Sequence, residues 1–283
     1  MPRRYWITEV FSEAPFGGNP LATVMDAQGL SGDEMQRIAR AFNLSETSFY
    51  TGGDAASGFG FRIFTPEAEL PFAGHPTLGS AWLIRHLVGS GDDREVRLNL
   101  AVGPITVTFA PDGILWMRQR APEFLETVAP GKVAASLGLR TADLDQRFPC
   151  QVVSTGIPFL VVPVVSGEAL AAVSLSPGFH DHAMLVFAPG GCELHQQLTA
   201  RVFVPALGVP EDPATGSANG CLAAYLSCQQ YLGSDRVKVA VGQGYAVHRP
   251  STLYLDAWAD QASFAVNVGG RVRLVAEGQW LLA

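Results

Sequence analysis

Two segments about half a chain apart carry the same pattern. Pro76-Thr77-Leu78-Gly79-Ser80-Ala81 and Pro213-Ala214-Thr215-Gly216-Ser217-Ala218 both read Pro-x-x-Gly-Ser-Ala. Upstream of each lies a second match, Arg62-Ile63-Phe64-Thr65-Pro66 against Arg201-Val202-Phe203-Val204-Pro205. The two spacings are nearly equal and close to half of the 283 residues. Ordered self-similarity at a fixed spacing is the trace of a duplicated unit. The chain is therefore expected to form two similar domains, 1–128 and 129–283, with the final strand able to pack back on the first half.

The copies differ where chemistry is carried. The residue before the shared proline is His75 in one and Asp212 in the other. Each proline is followed by small polar residues and then by an apolar run, Ala81-Trp82-Leu83-Ile84 or Cys221-Leu222-Ala223-Ala224-Tyr225-Leu226. The pattern predicts a polar loop opening a buried helix, with proline in the first turn, where its missing N–H costs nothing. Bare N–H groups at such a helix start attract anions. Two similar domains facing each other would bring one imidazole, one carboxylate and two sets of amide donors to a common cleft. Each residue also has a plainer reading: His75 or Asp212 as a helix cap, Ser217 as a small packing residue.

Composition narrows the classes. With 48% apolar and 16% charged residues, the chain has ample material for a core. A net charge of −7 without basic blocks argues against nucleic acid or an anionic membrane as partner. No uncharged run reaches the ~18 residues needed to span a bilayer. The N-terminus lacks a signal-peptide pattern, so a cytoplasmic location is expected. The four cysteines, Cys150, Cys192, Cys221 and Cys228, form no Cys-x-x-Cys pair. Cys221 and Cys228 read as buried free thiols on the second helical run. No second His or carboxylate stands at ligand spacing from His75, and no Gly-x-Gly-x-x-Gly opens a helix, so neither metal nor dinucleotide is expected.

Along the chain, Ser31 and Glu34 form a capping-box signal ahead of Met35, Ile38, Ala39 and Phe42 at helical spacing. Glu46 follows at a predicted strand start, among Leu44, Phe49 and Tyr50. It reads either as a solvated loop carboxylate or as a partly desolvated acid/base held by Ser45 and Thr47. Short strands surround the two helical runs, and Gly242-Gln243-Gly244-Tyr245 reads as a plain turn. The class is α+β, two pseudo-symmetric domains, each a curled mixed sheet around a central helix.

Four motifs, in order over nearly the whole chain, carry a resemblance. They are Pro15-Phe16-Gly17-Gly18-Asn19-Pro20-Leu21-Ala22, Phe42-Asn43-Leu44-Ser45-Glu46-Thr47-Ser48-Phe49, Phe72-Ala73-Gly74-His75-Pro76-Thr77 and Glu211-Asp212-Pro213-Ala214-Thr215-Gly216-Ser217-Ala218. Together they resemble the PhzF family of phenazine biosynthesis isomerases. The resemblance implies a diaminopimelate-epimerase-like fold, no cofactor, no metal and a homodimer. It also implies a small carboxylate-bearing substrate, with trans-2,3-dihydro-3-hydroxyanthranilate as the founding case. By the same resemblance Glu46 matches the general acid/base, and His75, Asp212 and Ser217 match groups that hold substrate and relay protons. Gly74 and Gly216 match backbone donors to the substrate carboxylate, and Asn19 and Thr215 complete the binding set.

The chain departs from the family where Asn219 replaces a frequent His, where Gly242 replaces Glu before Gln243-Gly244, and where His248 replaces a frequent Gly. Other readings remain open: a two-base racemase or epimerase, a serine hydrolase using Ser217, His75 and Asp212, and a non-catalytic small-molecule binder. The hydrolase reading lacks a Gly-x-Ser-x-Gly elbow.

Overall fold

A computed structural model describes residues 2–89, 91, 93–176, 182–204, 209–260 and 263–281. Its contacts divide the chain into two compact units, Met1–Met117 with Gly270–Ala283, and Arg118–Gly269.

The first unit contains β1 (Arg3–Val10), β2 (Asn19–Val24), α1 (Gly32–Phe42), β3 (Glu46–Asp54), β4 (Gly58–Phe64), β5 (Glu69–Leu70), α2 (Gly74–Leu87), β6 (Glu95–Leu100), β7 (Gly103–Phe109) and β8 (Leu115–Arg118). The second contains β9 (Glu123–Val128), α3 (Pro130–Ser136), β10 (Cys150–Ser154), β11 (Pro158–Pro163), α4 (Gly167–Ala171), β12 (Met184–Pro189), β13 (Leu198–Val204), β14 (Val209–Asp212), α5 (Gly216–Cys228), β15 (Val237–Gln243), β16 (Ser251–Asp260) and β17 (Ser263–Gly270). A last strand, β18 (Val272–Trp280), returns to the first unit and pairs antiparallel with β1.

Strand pairing repeats the duplication. In the first unit β18, β1, β2, β3, β4, β6, β7 and β8 neighbour one another in that order, with β2–β3 and β4–β6 parallel and the other pairs antiparallel. In the second unit β9, β10, β11, β12, β13, β15, β16 and β17 follow the same alternation, with β11–β12 and β13–β15 parallel. β5 and β14 take matching places beside β4 and β13. β18 therefore occupies in the first unit the position that β9 occupies in the second.

The side chains repeat as well. Arg62 makes a two-pronged contact with Glu69 (2.7 Å and 2.7 Å), and its guanidinium lies 5.1 Å from the Phe64 ring centre. Arg201 binds Glu211 in the same way (3.1 Å and 2.7 Å) and lies 5.0 Å from Phe203. Pro205, the last residue of the second Arg-x-Phe-x-Pro match, lies outside the described residues.

Each unit wraps a helix that is apolar nearly all round, the pattern of a core helix. α2 touches β1, β2, β3, β6, β7 and β18, strands from across its sheet, so the sheet is curled around it. α5 stands likewise against β10, β11, β12, β15 and β16. Gly79 allows the close approach of α2: a Cβ there would stand 2.6 Å from Leu21 Cδ2 and 3.1 Å from Thr8 Oγ1. On the opposite face, α1 lays Met35, Ile38 and Ala39 against Val24, Phe49 and Phe64. The predicted capping box forms, with Ser31 Oγ accepting from Glu34 N and Glu34 Oε2 accepting from Ser31 N.

Three expectations are corrected. α5 begins at Gly216, so Pro213 is not in its first turn. The reason is that β14 runs as far as Asp212, paired with Val202, and keeps this segment extended. β5 ends at Leu70, which frees α2 to start at Gly74, with Pro76 inside its first turn. Cys228, at the last turn of α5, is exposed, whereas Cys150 and Cys221 are buried and their thiols are pushed up to about 11 by burial. Thr47 cannot hold Glu46, because strand alternation sends the two side chains to opposite faces, and the buried Thr47 hydroxyl has no hydrogen-bond partner. Among the described residues, no helix is long and apolar enough to cross a membrane.

Candidate active site

In the first unit, Glu46 opens β3 opposite Leu21 of the parallel strand β2. Leu21 faces α2, so Glu46 lies on the α2 side of the sheet. His75 is the second residue of α2. Its Nε2 stands 3.6 Å from Glu46 Oε2, with the imidazole 6% and the carboxyl 18% exposed. Burial lowers the His75 pKa from 6.5 to about 3, against a small opposing effect of the Pro20 backbone carbonyl. The ring is therefore neutral at physiological pH, and the contact with Glu46 is not an ion pair. Nε2 is buried with no hydrogen-bond partner. Asn19, the buried first residue of β2, lies two residues before Leu21 and so on the same face of the sheet. Asn19, Glu46, Gly74 and His75 are thus gathered where β2, β3 and the start of α2 meet.

In the second unit, Asp212 ends β14 and is 9% exposed. Thr215 Oγ1 donates to Asp212 Oδ2 at 2.5 Å. Thr215 is also the N-cap of α5, but its side chain does not cap the helix. Gly216 and Ser217 form the first turn, with Gly216 buried and Ser217 half-buried. Asp212, Thr215, Gly216 and Ser217 therefore form one continuous helix entrance.

The two central helices, like the short α3, start without a side-chain cap. α1 and α4 are capped by the side chains of Ser31 and Ser166. α2 and α5 have no side-chain cap at Ala73 or Thr215. Their first-turn N–H groups have no intrahelical acceptor, which suits them to an external anion.

Gln243 is the residue that sequence reasoning passed over. It is not in a plain turn: it ends β15 with its side chain fully buried between the Asp212 loop and α5. A Gly-Gln-Gly triplet signals a bend but not a buried amide. Among the described residues, no group of three or more His, Cys, Asp or Glu side chains is placed to hold a metal ion.

Two curled mixed sheets, each closed on a buried helix, with an acid and a neutral imidazole at one helix entrance and a carboxylate at the other, define a diaminopimelate-epimerase-like fold. A hydroxyproline epimerase from Agrobacterium vitis shares this fold at a TM-score of 0.62 and 10% identity, over 99% of this chain and 91% of that one. The PhzF-family phenazine biosynthesis protein of Bacillus anthracis superposes with a TM-score of 0.91 at 25% identity, over 100% of both chains. The trans-2,3-dihydro-3-hydroxyanthranilate isomerase of Pseudomonas aeruginosa is 37% identical over 98% of this chain and 98% of its own. The family model of phenazine biosynthesis-like proteins matches residues 8–278, and the chain belongs to that family. It is an isomerase of the PhzF type.

Proposed function

We propose that this isomerase moves a proton within a small carboxylate-bearing ring substrate of the trans-2,3-dihydro-3-hydroxyanthranilate kind, with Glu46 as proton carrier. The observation that carries the reading is the pairing of Glu46 with a neutral, buried His75 at an uncapped helix start. As carboxylate, Glu46 takes a proton from one ring carbon; as carboxylic acid, whose proton exchanges with solvent, it delivers a proton to another. Atoms balance without a co-reactant, and the product relaxes to the ketone isomer. One group serves both steps when its protonation follows the reaction.

The charge that develops on the substrate needs fixed donors. His75 carries no positive charge, so that task falls to the amides at Gly74 and Gly216, which cost no reorganisation. Asn19, His75, Asp212, Thr215 and Ser217 orient the substrate's polar groups. In this reading the protein needs no cofactor and works as a homodimer, which light scattering tests.

Proton NMR in D2O, with trans-2,3-dihydro-3-hydroxyanthranilate as substrate, tests the assignment. Conversion with deuterium uptake by the wild type, and none by Glu46→Gln, is the expected result. Near-normal turnover by Glu46→Gln removes Glu46 from the mechanism. Exchange of a substrate α-proton with loss of optical purity would instead indicate the two-base epimerase.

A further inference from the structure

Gln243 spends its whole hydrogen-bonding capacity on the segment that carries Asp212. Its Oε1 accepts from Thr215 N at 3.3 Å and from Asn219 Nδ2 at 2.8 Å. Its Nε2 donates to the Asp212 backbone carbonyl at 2.8 Å and to Thr215 Oγ1 at 3.2 Å. A carboxamide has two donors and two acceptor lone pairs, and all four are engaged.

The backbone dictates which way this amide points. The Thr215 N–H can only donate and the Asp212 carbonyl can only accept, so a reversed Gln243 would set like against like twice. Asn219 is fixed in turn, because its Nδ2 faces two acceptors, Gln243 Oε1 and the Thr215 carbonyl at 3.0 Å. The Thr215 hydroxyl owns one proton. It receives the Gln243 N–H on a lone pair, so its proton goes to Asp212 Oδ2. The bonds from Asn219 to Gln243, to Thr215 and to Asp212 all run in the same direction. The turn that follows is pressed onto the same loop: a Cβ at Gly244, which sits at φ +81°, would meet the Arg249 carbonyl and stand 2.5 Å from the Pro213 carbonyl.

We infer that Gln243, oriented by Asn219, is a positioning residue that acts on Asp212 through the Thr215 hydroxyl. A carboxylate held by a donated proton keeps one rotamer, so the hydrogen-bond chain fixes the orientation of Asp212. The effect of this on turnover rests on the isomerase reading above; the direction of the hydrogen-bond chain does not.

The test combines kinetics with a readout that needs no substrate. Gln243→Glu keeps the shape of the side chain, removes both N–H donors and adds a charge beside Asp212. Thr215→Val removes the hydroxyl isosterically, and Thr215→Ser restores it. For folded variants, kcat is expected to fall ~10- to 100-fold in Gln243→Glu and Thr215→Val and to fall less in Thr215→Ser, which keeps the hydroxyl, since small misplacements of a positioned group have effects of this order. A merely structural contribution would not separate Val from Ser at 215. Wild-type kcat in folded Thr215→Val overturns the proposal. In parallel, the Gln243 side-chain NH2 signals are followed by 15N NMR. They are expected to exchange slowly in the wild type and to shift in Thr215→Val and in Asp212→Asn. Silence of the wild type toward trans-2,3-dihydro-3-hydroxyanthranilate would count against the isomerase reading, and the NMR shifts would then decide the positioning role by themselves. Signals that ignore both substitutions overturn it.

Discussion

Acidification from pH 7 to pH 5 is expected to cost the fold about 2 kcal/mol through His75 alone. Burial holds this imidazole neutral down to about 3, against an ordinary value of 6.5. Between those two values the unfolded chain binds a proton that the native state refuses, so stability rises with pH across the window. The contribution is fully present above 6.5 and is lost as pH falls, at about 1.4 kcal/mol per pH unit. From the ordinary value down to pH 5 this accumulates to about 2 kcal/mol. A negative charge on Glu46, 3.6 Å away, opposes the burial effect, so the figure is a ceiling. Four arginine-paired carboxylates do not intrude. Asp26, Asp143, Asp145 and Glu69 are held below the ordinary carboxylate range chiefly by hydrogen bonds from Arg4, Arg140, Arg147 and Arg62. Their stabilisation is present above that range and is lost only at lower pH. Urea unfolding at pH 7 and pH 5 measures the effect directly, with His75→Gln as reference. The wild type should lose about 2 kcal/mol more than the variant on acidification. Equal losses in the two proteins would refute the burial argument.

Three further outcomes follow from contacts described above or from buried groups beside them. The duplicated Arg–Glu pair offers a controlled comparison: Glu211→Ala, whose pair is 16% and 9% exposed, should cost about 3–5 kcal/mol in urea unfolding, and Glu69→Ala, at 36% and 39%, less than about 1 kcal/mol. Thr23, fully buried on β2, has a hydroxyl without a hydrogen-bond partner, so Thr23→Val should raise stability by about 1 kcal/mol, read as a higher urea midpoint at unchanged slope. Gly79→Ala should destabilise by about 1–2 kcal/mol despite the better helix propensity of alanine, because Leu21, which the new methyl would strike, is itself fully buried; thermal unfolding checks this.

What the sequence disclosed followed the range of the interaction involved. α1 was readable at its start because Ser31 and Glu34 are three residues apart and close a local box. The repeat was readable because Arg62 and Arg201 hold the same partners in both copies. β9 is hidden in the sequence: its residues are mostly exposed and show no apolar alternation, and its pairing with β10 crosses a helix and a loop. The unequal starts of α2 and α5 were hidden as well, since identical Pro-x-x-Gly-Ser-Ala text is overruled by how far the preceding strand extends. Glu46 at a strand start and His75 at a helix start were legible as places, but their 3.6 Å approach depends on β3 lying parallel to β2 beneath α2. Gln243 was illegible as a partner of Asp212, because only the packing of β15 beside β13 and α5 brings the two together.

The place of β18 beside β1 gives the two units different histories during synthesis. The second unit is one unbroken stretch and can complete its sheet without β18. The first unit is made earlier but finished later, since its terminal strand is translated only after all of Arg118–Gly269. Until then β1 presents an unpaired edge, the kind of strand that recruits wrong partners. A released chain truncated before Val272 should therefore hold a protease-resistant second unit and a first unit that is still open to cleavage and to chaperones.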